Sequence, residues 1–318
     1  MANPVLSLTA WVARWMPGIV TRSIYRIKPF ARMIRSALNQ AAPHELTAVK
    51  VAGGRLAGVR LVLDLQREKD YWLGTYEPEL QTAVRDWIKP GMLIYDVGAN
   101  IGYVSLLLRR QAGKDGRVLA FEALPANLER LRVNLEISGL GADVEIVPAA
   151  VVDGERSIKF LVGLSGGMGK AEGSAGRQDL PYESAIEVRG ISLDHFVFDE
   201  GNPPPELVKI DIEGGEVLAF PGMRRVLREK RPVIFLEIHG PEAARVAWEE
   251  LVNAGYRICS MQPGYPNLTS WAELDWKAYI VALPLPADPI PALRGHSKGE
   301  NLLEALLKYR SEERQSEI

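Results

Sequence analysis

The sequence predicts an α/β protein in which a mostly parallel sheet is covered by helices on both faces. Short, continuously apolar runs such as 93–97 and 233–238 are typical of strands that are buried on both sides. Segments with a helical spacing of apolar residues, such as 126–137, lie between these runs, and this alternation favours a parallel sheet. An N-terminal helical arm and a small β insertion are predicted outside the regular pattern.

The composition is that of a folded protein, and it excludes several other classes. Of the 318 residues, 47% are hydrophobic and 25% are charged, which excludes a disordered or collagen-like chain. The net charge is −2, so we expect no nucleic-acid partner. The single cysteine, Cys259, excludes an intrachain disulfide and a CxxC metal or redox site. This cysteine usage is compatible with the cytoplasm, where we expect the protein to reside.

The first predicted region, residues 1–70, is a helical arm followed by a β-hairpin. Residues 1–45 have the spacing of one or two amphipathic helices with a break near Pro17. Six basic residues precede the first acid, Glu45, and aromatic side chains lie among them. This pattern indicates either a helical cap on the rest of the protein or a peripheral contact with an anionic membrane. Residues 46–66 alternate between apolar and polar, which predicts the hairpin.

The second predicted region, residues 71–285, carries the alternation of strands and helices. Its first helix spans 76–88 and is stopped by Pro90 and Gly91. The predicted strands span 93–97, 117–121, 144–147, 207–212, 233–238 and 256–260. The further predicted helices span 101–111, 126–137, 226–230 and 243–252. Residues 286–318 are predicted to be a charged tail with a short helix.

The alternation lapses between 147 and 207, where we expect an inserted β region. The segments 157–162, 185–188 and 192–198 have the composition of strands. Between them, residues 163–176 include six glycines, which predicts a mobile loop. We expect this loop and the β insertion to form the binding site for a substrate.

A glycine-containing turn follows the predicted strand 93–97 and opens the next helix. Gly98 and Gly102 lack a Cβ atom, so the backbone there can approach a ligand closely. A carboxylate at Asp96 would repel a pyrophosphate, which disfavours a dinucleotide, but it suits the amino group and sulfonium of S-adenosylmethionine. Glu122 ends the next strand, where a carboxylate can bind ribose hydroxyls. The alternative is that Asp96 only caps the helix and that Glu122 is an ordinary acid.

Further polar side chains follow two later strands. Asp211 and Glu213 are two residues apart, so on a strand they would point to the same side, and Glu216 falls in the first turn of the next helix. Glu237 and His239 share a face of another strand, where His239 could be a general base or a structural hydrogen-bonding group. Asp211, Glu213, Glu237 and His239 could also bind a hard metal ion, but we expect the carboxylates to bind amino and hydroxyl groups and expect no metal.

The stretch from about residue 74 to residue 240 resembles the FkbM-type S-adenosylmethionine-dependent methyltransferases. The resemblance rests on Tyr76-Glu77, on the run 96–102, on Phe121-Glu122 with Pro125 and Asn127, on the run 209–216, and on Glu237-Ile238-His239. It implies a class I, Rossmann-like fold with a seven-stranded, mostly parallel sheet. The last strand of that sheet, here 277–283, would run in the reversed direction.

The resemblance also implies an activity and a set of site residues. The activity would be methyl transfer from S-adenosylmethionine to a hydroxyl on a sugar, glycolipid or secondary metabolite, so the acceptor would be a small molecule, a glycan or a lipid. The cofactor would lie against Glu77, Asp96, Gly98, Asn100, Gly102, Glu122, Ala123 and Asn127. The catalytic residues would be Asp211, Glu213 and His239. Two alternatives remain at this point, a nicotinamide-dependent dehydrogenase on the same sheet and a catalytically silent cofactor-binding or scaffold protein.

Overall fold

The computed structural model describes residues 42–163, 169–177 and 182–285. Of the helical arm predicted over 1–45, residues 1–41 lie outside these residues, as does the predicted C-terminal helix, so both remain predictions; residues 42–45 are described and are not helical. None of the helices within the described residues is long and apolar enough to cross a membrane.

Strands and helices alternate through most of the described chain, as the sequence predicts. The strands are β1 (Thr47–Lys50), β2 (Arg60–Leu63), β3 (Leu93–Val97), β4 (Arg117–Phe121), β5 (Val144–Val147), β6 (Ala150–Val151), β7 (Arg156–Gly163), β8 (Gly169–Ala171), β9 (Tyr182–Ile191), β10 (Leu207–Ile210), β11 (Val233–His239), β12 (Tyr256–Ser260) and β13 (Lys277–Pro284). The helices are α1 (Lys69–Leu73), α2 (Pro78–Trp87), α3 (Tyr103–Ala112), α4 (Pro125–Ser138), α5 (Leu193–Phe198), α6 (Glu216–Ala219) and α7 (Pro241–Asn253). Shorter helical turns span Gly141–Asp143, Phe220–Met223, Val226–Lys230 and Trp271–Glu273.

The central sheet of the described chain has seven strands in the order β12-β13-β11-β10-β3-β4-β5. Neighbouring strands from β11 through β5 pair in parallel. β13 runs antiparallel to both β11 and β12, so the reversed strand that the resemblance implies is present. The predicted α/β fold class and the class I strand arrangement are therefore confirmed.

Helices cover both faces of this sheet. Successive side chains of a strand point to opposite faces. In β3, Tyr95 packs against Phe196 of α5 with ring centroids 5.8 Å apart, whereas Asp96 accepts a hydrogen bond from Ser105 of α3. α3 and α5 therefore lie on opposite faces. The apolar core on the α5 face also includes residues of α7 such as Ala243.

The predicted hairpin is confirmed, because β1 and β2 pair in an antiparallel ladder. It packs on α4, where the N–H of Val62 donates to the side chain of Asn134 at 2.7 Å. Arg130 of α4 donates to the carbonyl of Val62 at 3.2 Å and pairs with Glu68 at 2.6 Å. The hairpin thus packs against the body that contains the central sheet, although the sequence groups it with the N-terminal arm.

The predicted β insertion is a four-stranded sheet in the order β6-β9-β7-β8. Two expectations about it are wrong. Residues 192–198 form α5 rather than a strand, because the Ser192 hydroxyl accepts the N–H of His195 at 3.1 Å and so caps a helix. The expected mobile loop over 163–176 is wrong for Gly169–Ala171, which form β8 and pair with β7, whereas residues 164–168 lie outside the described residues.

The end of this glycine-rich segment is tied to the loop that follows β10. The N–H of Ala175 donates to the carbonyl of Gly214 at 2.9 Å. A Cβ atom on Gly176 would lie 2.1 Å from the carbonyl oxygen of Glu213, which is closer than real contacts allow. Glycine at 176 therefore lets the two loops lie in direct backbone contact.

Candidate active site

A cavity of about 940 Å³, its open mouth included, lies at the carboxyl ends of β3, β4 and β10. Its wall combines the turns after these strands with side chains from α1, α3 and the inserted sheet. The lining residues are Tyr71, Tyr76, Val97 to Ile101, Tyr103, Val104, Phe121 to Leu124, Asn127, Ala149 to Val151, Phe160, Gly169, Ala171, Lys209, Asp211 to Glu213 and Gly215.

The turn after β3 is the centre of this wall, and of its two glycines Gly98 lines the cavity whereas Gly102 does not. Gly98 has a φ of 84°, and a Cβ atom there would lie 1.9 Å from the carbonyl oxygen of Asp211. Gly102 has a φ of 89°, and its Cβ atom would lie 2.5 Å from the side chain of Leu131. The sequence explained these glycines by close approach to a ligand. In the structure they first allow the turn to pack against β10 and α4.

Glu122, at the end of β4, is fixed by the backbone around it. Its carboxylate accepts N–H hydrogen bonds from Asn100 at 2.8 Å, Ala123 at 3.0 Å and Leu124 at 2.8 Å. Burial raises the pKa of Glu122, although these N–H donors oppose that shift. Asn100 lies in the left-handed region, with a φ of 50°, which turns its N–H toward Glu122. Glu122, Ala123, Asn100 and Asn127 all line the cavity, as a cofactor site requires.

The sequence predicts that Asp96 contacts the cofactor, but its side chain lies beneath the turn and does not line the cavity. It is fully buried, accepts a hydrogen bond from Ser105 at 2.6 Å and pairs with the Nζ of Lys209 at 3.3 Å. Lys209 also contacts the carbonyl of Gly98 at 3.3 Å and the Asp211 carboxylate at 3.7 Å. Asp96 therefore holds Lys209, and Lys209 in turn holds the glycine turn and Asp211.

Lys209 has a structural role that was not predicted from the sequence, because it links Asp96, the glycine turn and Asp211. Burial lowers the pKa of this lysine, but Asp96 and Asp211 more than reverse that effect and raise it. It is therefore a permanent cation in the wall. Its signal in the sequence is a charge inside the apolar strand Leu207–Ile210, which calls for a buried partner.

Asp211 and Glu213 come together as expected, but for a different reason. β10 ends at Ile210, so strand periodicity does not orient them. Instead Glu213 adopts a left-handed conformation with a φ of 53°, which turns the loop back over β11. Their carboxylates lie 4.0 Å and 3.7 Å from the Nε2 of His239. Both line the cavity, and the Glu213 side chain is half exposed at its mouth.

His239 lies behind the cavity wall and is surrounded by carboxylates. Its Nε2 contacts Glu237 at 2.9 Å, and its Nδ1 lies 3.6 Å from Glu216. Burial lowers the pKa of His239, but Glu216 and Glu237 more than reverse this and raise it to about 10. A raised pKa disfavours proton uptake by the imidazole at neutral pH, and so it favours the structural alternative. General-base catalysis by His239 stays a prediction.

Glu77 precedes α2 and is not one of the cavity-lining residues, so the structure does not place its side chain where the resemblance implies. It adopts a left-handed conformation with a φ of 42°. Burial, followed by the nearby Glu237 and Asp211, raises the pKa of Glu77 to about 8. Its neighbour Tyr76 does line the cavity.

Three tyrosines form an aromatic wall that the sequence analysis did not predict. The rings of Tyr71 and Tyr103 stack with centroids 4.6 Å apart, and Tyr76 meets Tyr71 edge-on at 4.4 Å. They come from α1, the loop before α2 and the start of α3, so only the folded chain brings them together. On the opposite side, Phe160 and Gly169 bring the inserted sheet to the same cavity.

Residues 96–258, about half of the chain, match the family described as the methyltransferase FkbM domain. The hexuronic acid methyltransferase AglP of Haloferax volcanii is 29% identical over 153 residues, which are 46% of this chain and 56% of that protein. The AMB antimetabolite synthetase AmbE of Pseudomonas aeruginosa is 26% identical over 315 residues, covering 81% of this chain and 14% of that protein. The chain thus spans about half the length of the first relative and a small part of the second.

Solved structures resemble the fold only distantly. A methyltransferase FkbM from Methylobacillus flagellatus has 16% sequence identity and a TM-score of 0.41, covering 70% of this chain and 56% of that one. An S-adenosylmethionine-dependent O-methyltransferase from Thermotoga maritima has 14% identity and a TM-score of 0.40, covering 82% and 83%.

Proposed function

The chain belongs to the FkbM methyltransferase family, and we propose that it transfers the methyl group of S-adenosylmethionine to a hydroxyl on a sugar, glycolipid or secondary metabolite. One observation carries this proposal. The cavity has a fixed carboxylate, Glu122, at the end of β4 and two more, Asp211 and Glu213, after β10. β3 lies between these strands, so the two ends are two strand spacings, or roughly 10 Å, apart. A nucleoside joined to an amino acid can bridge that distance.

The cofactor is proposed to lie across the turn after β3. Glu122 would accept hydrogen bonds from the ribose hydroxyls, since it lines the cavity together with Asn127. The backbone of the turn from Gly98 to Gly102 would hold the methionine end, with Asp96 acting indirectly through Lys209. S-adenosylmethionine carries a sulfonium and no phosphate, which suits a wall whose charged groups include carboxylates.

The chain's own residues then have to position the acceptor and remove a proton. When bound, S-adenosylmethionine supplies an electrophilic methyl group, so that a C–O bond forms as the C–S bond breaks and its electron pair stays on sulfur. Asp211, which Lys209 holds in place, is proposed to position the acceptor so that its hydroxyl donates to Glu213. Glu213 is proposed to take the hydroxyl proton and pass it to water, because its half-exposed carboxylate reaches both the cavity and solvent.

A sugar acceptor is supported by the name of one relative, a hexuronic acid methyltransferase. We therefore propose glycans that contain hexuronic acids as the first acceptor class to test, followed by glycolipids and small secondary metabolites. The match to a methyltransferase family argues against the alternative of a nicotinamide-dependent dehydrogenase. A silent binding protein remains as an outcome of the experiment.

The experiment combines cofactor binding with acceptor screening. Calorimetry should show binding of S-adenosylmethionine and not of NAD. Radiolabelled methyl donor and fractionated glycans and lipids should then give a labelled product together with S-adenosylhomocysteine. Mild alkali separates the two oxygen chemistries, because a methyl ether survives it and a methyl ester is hydrolysed. Label lost to alkali would contradict hydroxyl methylation, and cofactor binding without transfer to any fraction would favour the silent protein.

We also propose that the N-terminal arm can contact a membrane peripherally, on the cytoplasmic side. The six basic residues before Glu45 support this, since each is worth about 1 kcal/mol near an anionic leaflet. The full chain should sediment with anionic liposomes at low salt and be released at high salt. No sedimentation at low salt would leave the arm with the alternative role of a helical cap.

A further inference from the structure

A cluster of four ionisable side chains lies between the cavity and the sheet. We refer to Asp211, Glu216, Glu237 and His239 as the histidine cluster. Asp211 follows β10, Glu216 begins α6, and Glu237 and His239 end β11. His239 and Glu237 are 2% and 5% exposed, and Glu216 is fully buried. Asp211 alone also lines the cavity, so the cluster meets the proposed acceptor end of the site.

The ligand atoms of this cluster have the spacing that one cation requires. One carboxylate oxygen each from Asp211 and Glu237 and one ring nitrogen of His239 lie within 4.8 Å of one another. Metal–ligand bonds to oxygen and nitrogen are about 2.0–2.3 Å long, so a single ion at the centre reaches all three with small side-chain adjustments.

Glu216 provides an independent observation, because its buried carboxylate is aimed into this cluster without a hydrogen bond. Within the described residues, neither of its oxygens has a hydrogen-bond partner, and Nδ1 of His239 lies 3.6 Å away. One oxygen of Glu237 and Nδ1 of His239 also lack hydrogen bonds within that part of the chain. Within the described residues, the contact of Glu216 with a positive group is its ion pair with the Nδ1 side of His239, which is how an outer carboxylate orients an imidazole whose other nitrogen binds a metal.

The charges around the cluster give the same result. Lys277 is half exposed and contacts one oxygen of Glu237. Lys209 forms ion pairs with both Asp211 and Asp96, so its charge is shared between them. Even when His239 is counted as a cation with these two lysines, three positive groups face five carboxylates, which are Asp96, Asp211, Glu213, Glu216 and Glu237. A divalent cation would bring the charge of this region closer to neutrality.

We propose that the histidine cluster binds one divalent cation, with Asp211, Glu237 and the Nε2 of His239 as ligands. The ion replaces the proton on Nε2, which is released to solvent, and Glu216 is the outer carboxylate that holds the proton on Nδ1. This reverses the expectation from the sequence that no metal is bound. A nitrogen and two oxygen ligands suit a first-row ion such as Mn²⁺. The role of the ion rests on the proposed function. Beside Asp211 it would bind the acceptor oxygen and so orient and polarise the hydroxyl.

The test is binding of Mn²⁺ to the full chain after removal of metals with EDTA. Electron paramagnetic resonance of free Mn²⁺ should show one bound ion per chain. Asp211→Asn and Glu237→Gln should each weaken binding at least tenfold, because each replaces a carboxylate ligand by an amide. His195→Gln is the matched control, since His195 lies on the surface with Glu155 and Asp199 both at 3.1 Å and should leave Mn²⁺ affinity unchanged.

Three results would overturn this proposal. They are no saturable Mn²⁺ binding up to about 1 mM, wild-type affinity in both amide variants when circular dichroism shows them folded, or an equal loss in His195→Gln. Binding of S-adenosylmethionine is measured on the same sample. Cofactor binding without Mn²⁺ would refute only the cation, whereas Mn²⁺ binding without cofactor binding would support the cation site and refute the proposed function.

Discussion

Replacing Glu122 by glutamine separates its two roles, that of a backbone anchor and that of a cofactor ligand. The carboxylate accepts three backbone N–H groups, from Asn100, Ala123 and Leu124. The substituted glutamine keeps the side-chain length and one acceptor oxygen, which can serve Ala123 and Leu124. Its amide group cannot accept the N–H of Asn100, and it carries no charge toward the ribose.

The expected magnitudes follow from these contacts. Losing a charged acceptor for a ribose hydroxyl costs about 1.5–3 kcal/mol, so S-adenosylmethionine should bind about 10- to 100-fold more weakly. One unpaired N–H costs about 1–3 kcal/mol of unfolding free energy, and each kcal/mol lowers Tm by about 2–4 °C. Glu122→Ala strands all three donors, so it should lower the unfolding free energy by at least about 3 kcal/mol.

Calorimetry with S-adenosylmethionine and thermal unfolding without it measure the two effects separately. Glu145→Gln is the matched control, because Glu145 is an exposed acid on the neighbouring strand β5. It should change neither the affinity nor the Tm. A lowered Tm with unchanged cofactor affinity in Glu122→Gln would refute the ribose assignment and leave Glu122 as a backbone anchor only.

Three further predictions concern packing, buried charge and pH. Gly98→Ala places a Cβ atom 1.9 Å from the Asp211 carbonyl oxygen. Thermal or denaturant unfolding should show a loss of about 3 kcal/mol or more of unfolding free energy relative to Gly58→Ala, because Gly58 has a similar positive φ but open space around it. Equal losses in the two variants would contradict the packing argument. Lys209→Met leaves the buried Asp96 and the partly exposed Asp211 without their cation and should cost about 3 kcal/mol in denaturant unfolding. A stability near wild type would mean that other groups pair these carboxylates. Burial raises the pKa of Glu77 to about 8 from a value of 4.5, so the folded chain holds a proton that the unfolded chain releases, and the unfolding free energy should fall as the pH rises between these values. Glu77→Gln should flatten that slope, and an unchanged slope would contradict the shift.

Most of the fold could be predicted because its central strands are apolar on both faces. The strands 93–97, 117–121 and 256–260 have the predicted bounds. The error at 192–198 arose because a short apolar segment fits either a strand or a helix, and the capping hydroxyl of Ser192 decides for the helix. β8 was missed because its glycine-rich sequence has low strand propensity, and only pairing with β7 makes it a strand.

The sequence predicted which end of the sheet carries the candidate site, but it did not predict which side chains contact one another there. Parallel strands place their carboxyl ends at one edge of the sheet, so acids such as Glu122 and Asp211 had to lie near each other. The register of β3 and β10 places Lys209 opposite Asp96, and no local pattern reveals this pairing. The burial of His239 among carboxylates likewise depends on three separate elements, so its protonation state could not be read from the sequence.

The backbone contact between Gly176 and the loop that carries Glu213 has a consequence for how acceptor preference can change. The inserted sheet and this loop cannot be exchanged independently, because any side chain at 176 would press on the Glu213 carbonyl. A chimera that takes the insert from a relative must therefore keep this glycine or import the facing loop as well. The transferable unit for engineering a new acceptor range is the pair of loops together with the sheet between them.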